Sequence, residues 1–206
     1  MKISGLKFLA LGGIAGPILF TSVVLFCSSQ RPDYDQTSQF IDELGASGTP
    51  NSMLMNTVGF LLSGLMIAAF GISLLLGLPS RSATRIGSVF IILFGIGMGV
   101  SGFFSCDPGC PPEGSWSARI HDQVSGATFV SAVVGTLLMG ISFRKMSRMR
   151  SIWFYSVITS LVSFGILIVL IDSVDSSSMV GLWQRLMLLL FFAWFGVTGI
   201  RVIRQY

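Results

Sequence analysis

Residues 54–77 read LMNTVGFLLSGLMIAAFGISLLLG, twenty-four residues without one charge. A bilayer core needs about 20 helical residues to cross it. The run is continuously apolar rather than alternating, so it reads as a helix and not as a barrel strand. Within lipid only helices and closed barrels satisfy the backbone. Working outward, five further runs have the same character, near 8–27, 86–105, 121–143, 151–172 and 181–200. The chain therefore predicts an all-α, polytopic six-helix transmembrane bundle, one domain over 1–206, with an ordered extracytoplasmic loop cap.

Composition agrees. Of the 206 residues, 52% are hydrophobic and 11% are charged, with a mean hydropathy of +0.79. A soluble domain carries about a quarter charged residues. The first apolar run is too long for the core of a cleaved signal peptide, and no small-x-small site follows it. Phe26 is too bulky for the small residue a lipid-attachment cysteine needs before it, so Cys27 is read as part of an uncleaved helix.

The charges orient the helices. Lys2, Lys7, Arg81, Arg85, Arg144, Lys145, Arg148, Arg150, Arg201 and Arg204 fall at one end of the runs, whereas Arg31, Arg119 and Arg185 fall at the other. Ten against three is a positive-inside signal that predicts a cytoplasmic-membrane protein with both termini in the cytoplasm. All nine acids (Asp33, Asp35, Asp42, Glu43, Asp107, Glu113, Asp122, Asp172 and Asp175) accompany the smaller group. The net charge of +4 is thus a topology signal, and it gives no reason to expect a nucleic-acid partner.

Polar chemistry is concentrated in the outer connections. In SSQRPDYDQTSQFIDELGASGTPNS, Phe40, Ile41 and Leu44 recur at helical spacing and Gly45 is placed as a stop, which predicts a short amphipathic helix over the mouth. The second connection holds CDPGC. Asp107-Pro108-Gly109 is a turn signal, and a turn brings Cys106 and Cys110 within disulfide reach on an oxidising face. Pairing of Cys27 with either cysteine, a redox-active pair and a zinc site remain as alternatives. The usual redox spacing is C-x-x-C, and a zinc site lacks a second ligand pair. Neither a haem held by two histidines nor a tri-histidine centre fits a chain with one histidine. No cofactor and no metal are expected.

His121 and Asp122 open the fourth helix, Gln184 and Arg185 the sixth, and Asn56 lies near the start of the second. Intramembrane polar residues turn towards the bundle interior, so these groups are expected to converge on one polar mouth. Arg185 is expected to point towards Asn56 and His121, with Asp33, Asp35 or Glu43 as its acid. Arg185 with helix N-termini suits an anion, and the carboxylates suit a cation or amine. The candidate ligand-binding set is therefore Asp33, Asp35, Glu43, Asn56, His121, Gln184 and Arg185, and the occupant is a membrane lipid head group or small amphiphile. The alternatives are a membrane-embedded hydrolase or acyl transferase using His121 with Asp122 or Asp107 as acid and base, and a structural or signalling membrane partner. Oligomeric state is not legible. Small-residue pairs at Gly12/Gly16 and Gly95/Gly99 predict close helix packing.

Four stretches together carry a resemblance: GGIAGPILF, RPDYDQTSQFIDELGASGTPN, GFFSCDPGCPP and GLWQRL. With them the chain resembles a prokaryotic membrane family catalogued as domain of unknown function 998, which implies the architecture and no activity. IDELGASGTP is also similar to a loop of eukaryotic damage-regulated autophagy modulators and of relatives implicated in GPI-anchor lipid remodelling, with Asp42 where those proteins favour Ser. That similarity implies lipid-related work.

Overall fold

The computed structural model describes residues 3–111, 113–176 and 179–205, the side chains of residues 175 and 176 excepted. Lys2 and the Asp175 side chain of the charge reading lie outside the described residues.

Six helices are long and apolar enough to cross a membrane, and among the described residues there is no strand. They are α1 (Ile3–Ser29), α2 (Ser52–Gly77), α3 (Ser82–Phe103), α4 (Trp116–Phe143), α5 (Trp153–Ser176) and α6 (Val180–Ile203). Each packs on its sequence neighbours, and α6 closes the ring against α1. In α5 only 33% of the spanning window is buried, the lowest share of the six. It is the peripheral helix, and its neighbours are where grooves open.

The fourth helix begins ahead of its apolar run because polar residues cap it. Ser115 accepts the Ala118 amide (3.3 Å) at the start of α4, satisfying one of the donors a helix start leaves open. Asp107 in turn accepts the Ser115 amide (2.6 Å) and hydroxyl (2.9 Å). Hydrophobicity alone placed this start at 121, five residues late.

The core is aromatic. Phe20, Phe94, Phe191, Phe195 and Phe70 are buried near its centre. Phe94 meets Phe195 edge-on with centroids 5.4 Å apart. Trp194 is fully buried, stacks on Phe143 and donates to Ser156 Oγ (2.8 Å), the hydrogen bond a buried indole requires. Backbone contact of α2 with α3 and with α1 needs glycine. A Cβ on Gly95 would collide with the Ala68 amide and the Gly64 carbonyl, and one on Gly12 would collide with the Met66 carbonyl.

The two ends differ. One gathers Pro79, Arg81, Lys145, Arg148 and Gln205, with Arg148 donating to the Gln205 carbonyl (2.9 Å). The other gathers the two long connections. There the Ser47 amide donates to the Cys106 carbonyl (3.2 Å) and the Leu182 amide to the Thr37 carbonyl (2.9 Å). The first connection is thus tied to both the second and the start of α6. The amphipathic helix expected around Phe40 is only a single 3-10 turn, Ile41–Leu44, whose Ile41 and Leu44 are buried in the bundle. Gly45 stops it as its position suggests, its amide closing back on the Asp42 carbonyl (2.9 Å). The segment is a plug and not a surface float.

Candidate functional site

The 3-10 turn inserts Asp42 among the helix starts. His121 Nε2 lies 3.3 Å from Asp42 Oδ1, and both side chains are almost shielded from solvent. On its other edge, His121 Nδ1 lies 2.7 Å from the Phe104 carbonyl. A carbonyl only accepts, so Nδ1 carries a proton. Gln184 donates to Asp42 Oδ2 (2.5 Å) and accepts the Ile41 amide (2.7 Å). Burial alone would raise the Asp42 carboxyl; the hydrogen bond and charge of His121, joined by Gln184, outweigh it and hold the group below its ordinary value. An ionised Asp42 then faces an imidazolium with both ring nitrogens engaged.

This cluster closes one end of a cavity of about 310 Å³ between α4, α5 and α6. Asp122, Ser125, Gly126 and Cys110 add to its wall, and Phe129, Leu167, Leu170, Ile171 and Val174 make the rest apolar. Ile171 is 61% exposed, so the cavity is a groove open sideways along α5.

CDPGC forms the lid. Cys106 and Cys110 are bonded to each other, with Cα atoms 5.1 Å apart, and Cys27 is free and buried. The Cys110 amide closes the turn on the Asp107 carbonyl (2.8 Å). Gly109 takes φ +80°, the left-handed value that the third turn position requires after proline.

The expected convergence is partial. His121 and Gln184 meet at the groove, and Asp122 lines it, but the hydrogen-bonded acid is Asp42, which was outside the candidate set. Asp107 serves as a cap on Ser115, so neither it nor Asp122 is the carboxylate paired to His121. Arg185 faces the opposite side of α6. It donates to the Gln39 carbonyl (3.1 Å), the Gly181 carbonyl (2.9 Å) and the Tyr34 hydroxyl (2.5 Å), and lines a second groove. Its expected acid partners are used by their own loop. Glu43 accepts Gln39 Nε2 (2.6 Å) and the Phe40 amide (3.0 Å). Asp35 accepts the Thr37 amide and hydroxyl and the Ser38 hydroxyl, bonds that lower its carboxyl to about 2. Asp33 is exposed in the loop. Asn56 donates to the Gly45 carbonyl (2.9 Å) from a π-helical segment, Met55–Leu62, and pins the plug from the α2 side. Burial pushes the Tyr34 phenol up to about 12 against the lowering effect of Arg185. Among the described residues no group of three or more His, Cys, Asp or Glu is placed to hold a metal.

The sequence carried part of the signal for Asp42. Asp42 and Glu43 both lie between Ile41 and Leu44, on a short apolar pattern that has to point inward, so the pattern singles out the pair and not the member that meets His121.

A family model described as "Protein of unknown function (DUF998)" matches residues 14–201. The chain belongs to that family. No curated protein and no solved structure matches it. The DUF998 match spans the plug, the lid and the starts of α2, α4 and α6, so every residue of the cluster lies inside it.

Proposed function

We propose that this DUF998 protein binds a lipid, or a single-chain amphiphile, in the groove between α4, α5 and α6, with an ammonium-bearing head at the Asp42–His121 end and its chain along α5. One observation carries the reading: a buried charged cluster closes a groove whose remaining walls are apolar and open sideways. The sign of the head follows from the lining. Asp42 and His121 compensate each other, and the Asp122 carboxylate is left in excess. His121 spends both its ring nitrogens on Asp42 and Phe104, and Gln184 spends one of its two N–H groups on Asp42, so the exposed Asp122 carboxylate sets the sign of the free groups at the base.

The basic residues of the opposite end, nine of them described, support a cytoplasmic location for both termini, and with it an extracytoplasmic groove. The binding reading is favoured over the hydrolase or acyl transferase reading. A general base needs a lone pair within reach of substrate, and both His121 nitrogens are occupied.

Gly126 gives the test. It lines the groove, and a Cβ there meets nothing within 4 Å. Gly126→Leu fills the groove without disturbing the helix contacts. Native mass spectrometry of the purified protein against phosphatidylethanolamine is expected to show a bound lipid in the wild type and its loss in Gly126→Leu. Equal binding in both proteins would reject the assignment.

A further inference from the structure

We propose a second lipid site of opposite sign: the groove between α1 and α6 binds an anionic phospholipid, its phosphate on Arg185. The groove encloses about 280 Å³, walled by Phe20, Val24, Leu25, Leu188, Leu189 and Phe192. Leu25 and Leu189 are more than half exposed, so an acyl chain enters from the bilayer side. Gln36 and Arg185 form its polar end.

The guanidinium is short of partners. Arginine has five N–H donors, and three hydrogen bonds are formed, all to neutral oxygens. The buried Nε has no partner. Among the described residues, neither Arg185 nor Arg31 has a carboxylate within ion-pair distance. Both guanidiniums lie against the Tyr34 ring, at 5.6 and 5.4 Å from its centroid. Three of the loop's four acids are turned elsewhere, Asp35 to Thr37 and Ser38, Glu43 to Gln39 and Phe40, Asp42 to His121 and Gln184, and the fourth, Asp33, is exposed and outside ion-pair distance of either guanidinium. Arg185 also lies near the positive end of α6, where the helix dipole opposes a cation and favours an anion.

A cation at the edge of hydrocarbon needs a counter-charge, and a phosphate diester suits the guanidinium fork. The choice of a net-anionic lipid follows from the two guanidiniums. A zwitterionic head would bring its own cation beside them, and of the four acids in the loop only the solvent-exposed Asp33 is not already hydrogen-bonded elsewhere. This site is independent of the groove along α5, since Arg185 lines one and Gln184 the other.

The test uses the full chain in detergent, titrated with phosphatidylglycerol and phosphatidylcholine of equal chain length and read by native mass spectrometry. Wild type is expected to prefer phosphatidylglycerol by about tenfold, the scale of one charge-assisted hydrogen bond. Arg185 also holds the plug, so the decisive variants lie beside it. Gln36→Glu places a carboxylate at the rim and is expected to abolish the preference. Leu189→Trp fills the exposed wall and is expected to weaken both lipids. Gly126→Leu closes the other groove to the choline head and is expected to keep or sharpen the preference, which separates this site from the other groove. The proposal is overturned by no preference in wild type, by a preference that survives Gln36→Glu, by undiminished binding in Leu189→Trp, or by loss of the preference in Gly126→Leu. Displacement of phosphatidylglycerol by millimolar inorganic phosphate would mark a free-anion site and overturn it as well.

Discussion

Replacing Asp42 in two ways separates its charge from its hydrogen bonds. Asp42→Ala leaves the buried His121 Nε2 and Gln184 Nε2 without their acceptor. Breaking a buried ion pair from one side costs about 3–5 kcal/mol. Asp42→Asn keeps the shape. His121 already holds a proton on Nδ1 for the Phe104 carbonyl, so its neutral form has a lone pair on Nε2. The Asn amide donates there while its oxygen accepts from Gln184. What is lost is the difference between charge-assisted and neutral hydrogen bonds, about 1–2 kcal/mol. For a chain of this size about 2–4 °C of Tm follows each kcal/mol, giving losses of about 6–20 °C for Asp42→Ala and about 2–8 °C for Asp42→Asn. The buried free thiol of Cys27 makes thermal unfolding readable with a thiol-reactive fluorophore. The pH dependence carries a second signature. Because the folded Asp42 carboxyl titrates below its unfolded value, its stabilisation is complete above the unfolded value of about 3.9 and fades as pH falls through the lower folded value. Asp42→Asn should lack that part of the acid limb. Equal losses in the two variants, or none in either, would refute the network.

Mass mapping of unreduced protein should find Cys106 joined to Cys110 and Cys27 free; any bond to Cys27 would contradict the lid. Gly95→Ala drives a methyl into the α2 backbone and should cost several kcal/mol, whereas Gly126→Ala, with open space around it, should be neutral or slightly stabilising. Cysteines introduced in turn at Arg144 and Arg150 should react only with membrane-permeant reagents in intact cells, and labelling from outside would reverse the proposed orientation.

The six helices were legible because bilayer crossing demands a length and an apolarity that no other element in the chain meets. CDPGC was legible because proline and glycine at those positions permit one kind of turn. The shared mouth was only partly legible. Gln184 and Arg185 are adjacent, and adjacent residues on a helix point about 100° apart, so one lines each groove. Hydropathy does not report that rotation, which depends on how α6 packs against α1 and α5. Asp42 was hidden for a different reason. Its loop holds four acids of similar apparent standing; the 3-10 turn that buries Ile41 and Leu44 shields both Asp42 and Glu43, and only the rotation of that turn aims Asp42 at His121 while Glu43 folds back on Gln39 and Phe40.

The most direct measurement is competitive native mass spectrometry of wild type and Gly126→Leu with phosphatidylethanolamine and phosphatidylglycerol together. The account predicts that Gly126→Leu loses the phosphatidylethanolamine adduct and keeps the phosphatidylglycerol adduct, with an unchanged Tm in lipid-free detergent. Retention of phosphatidylethanolamine by a folded Gly126→Leu protein would contradict it.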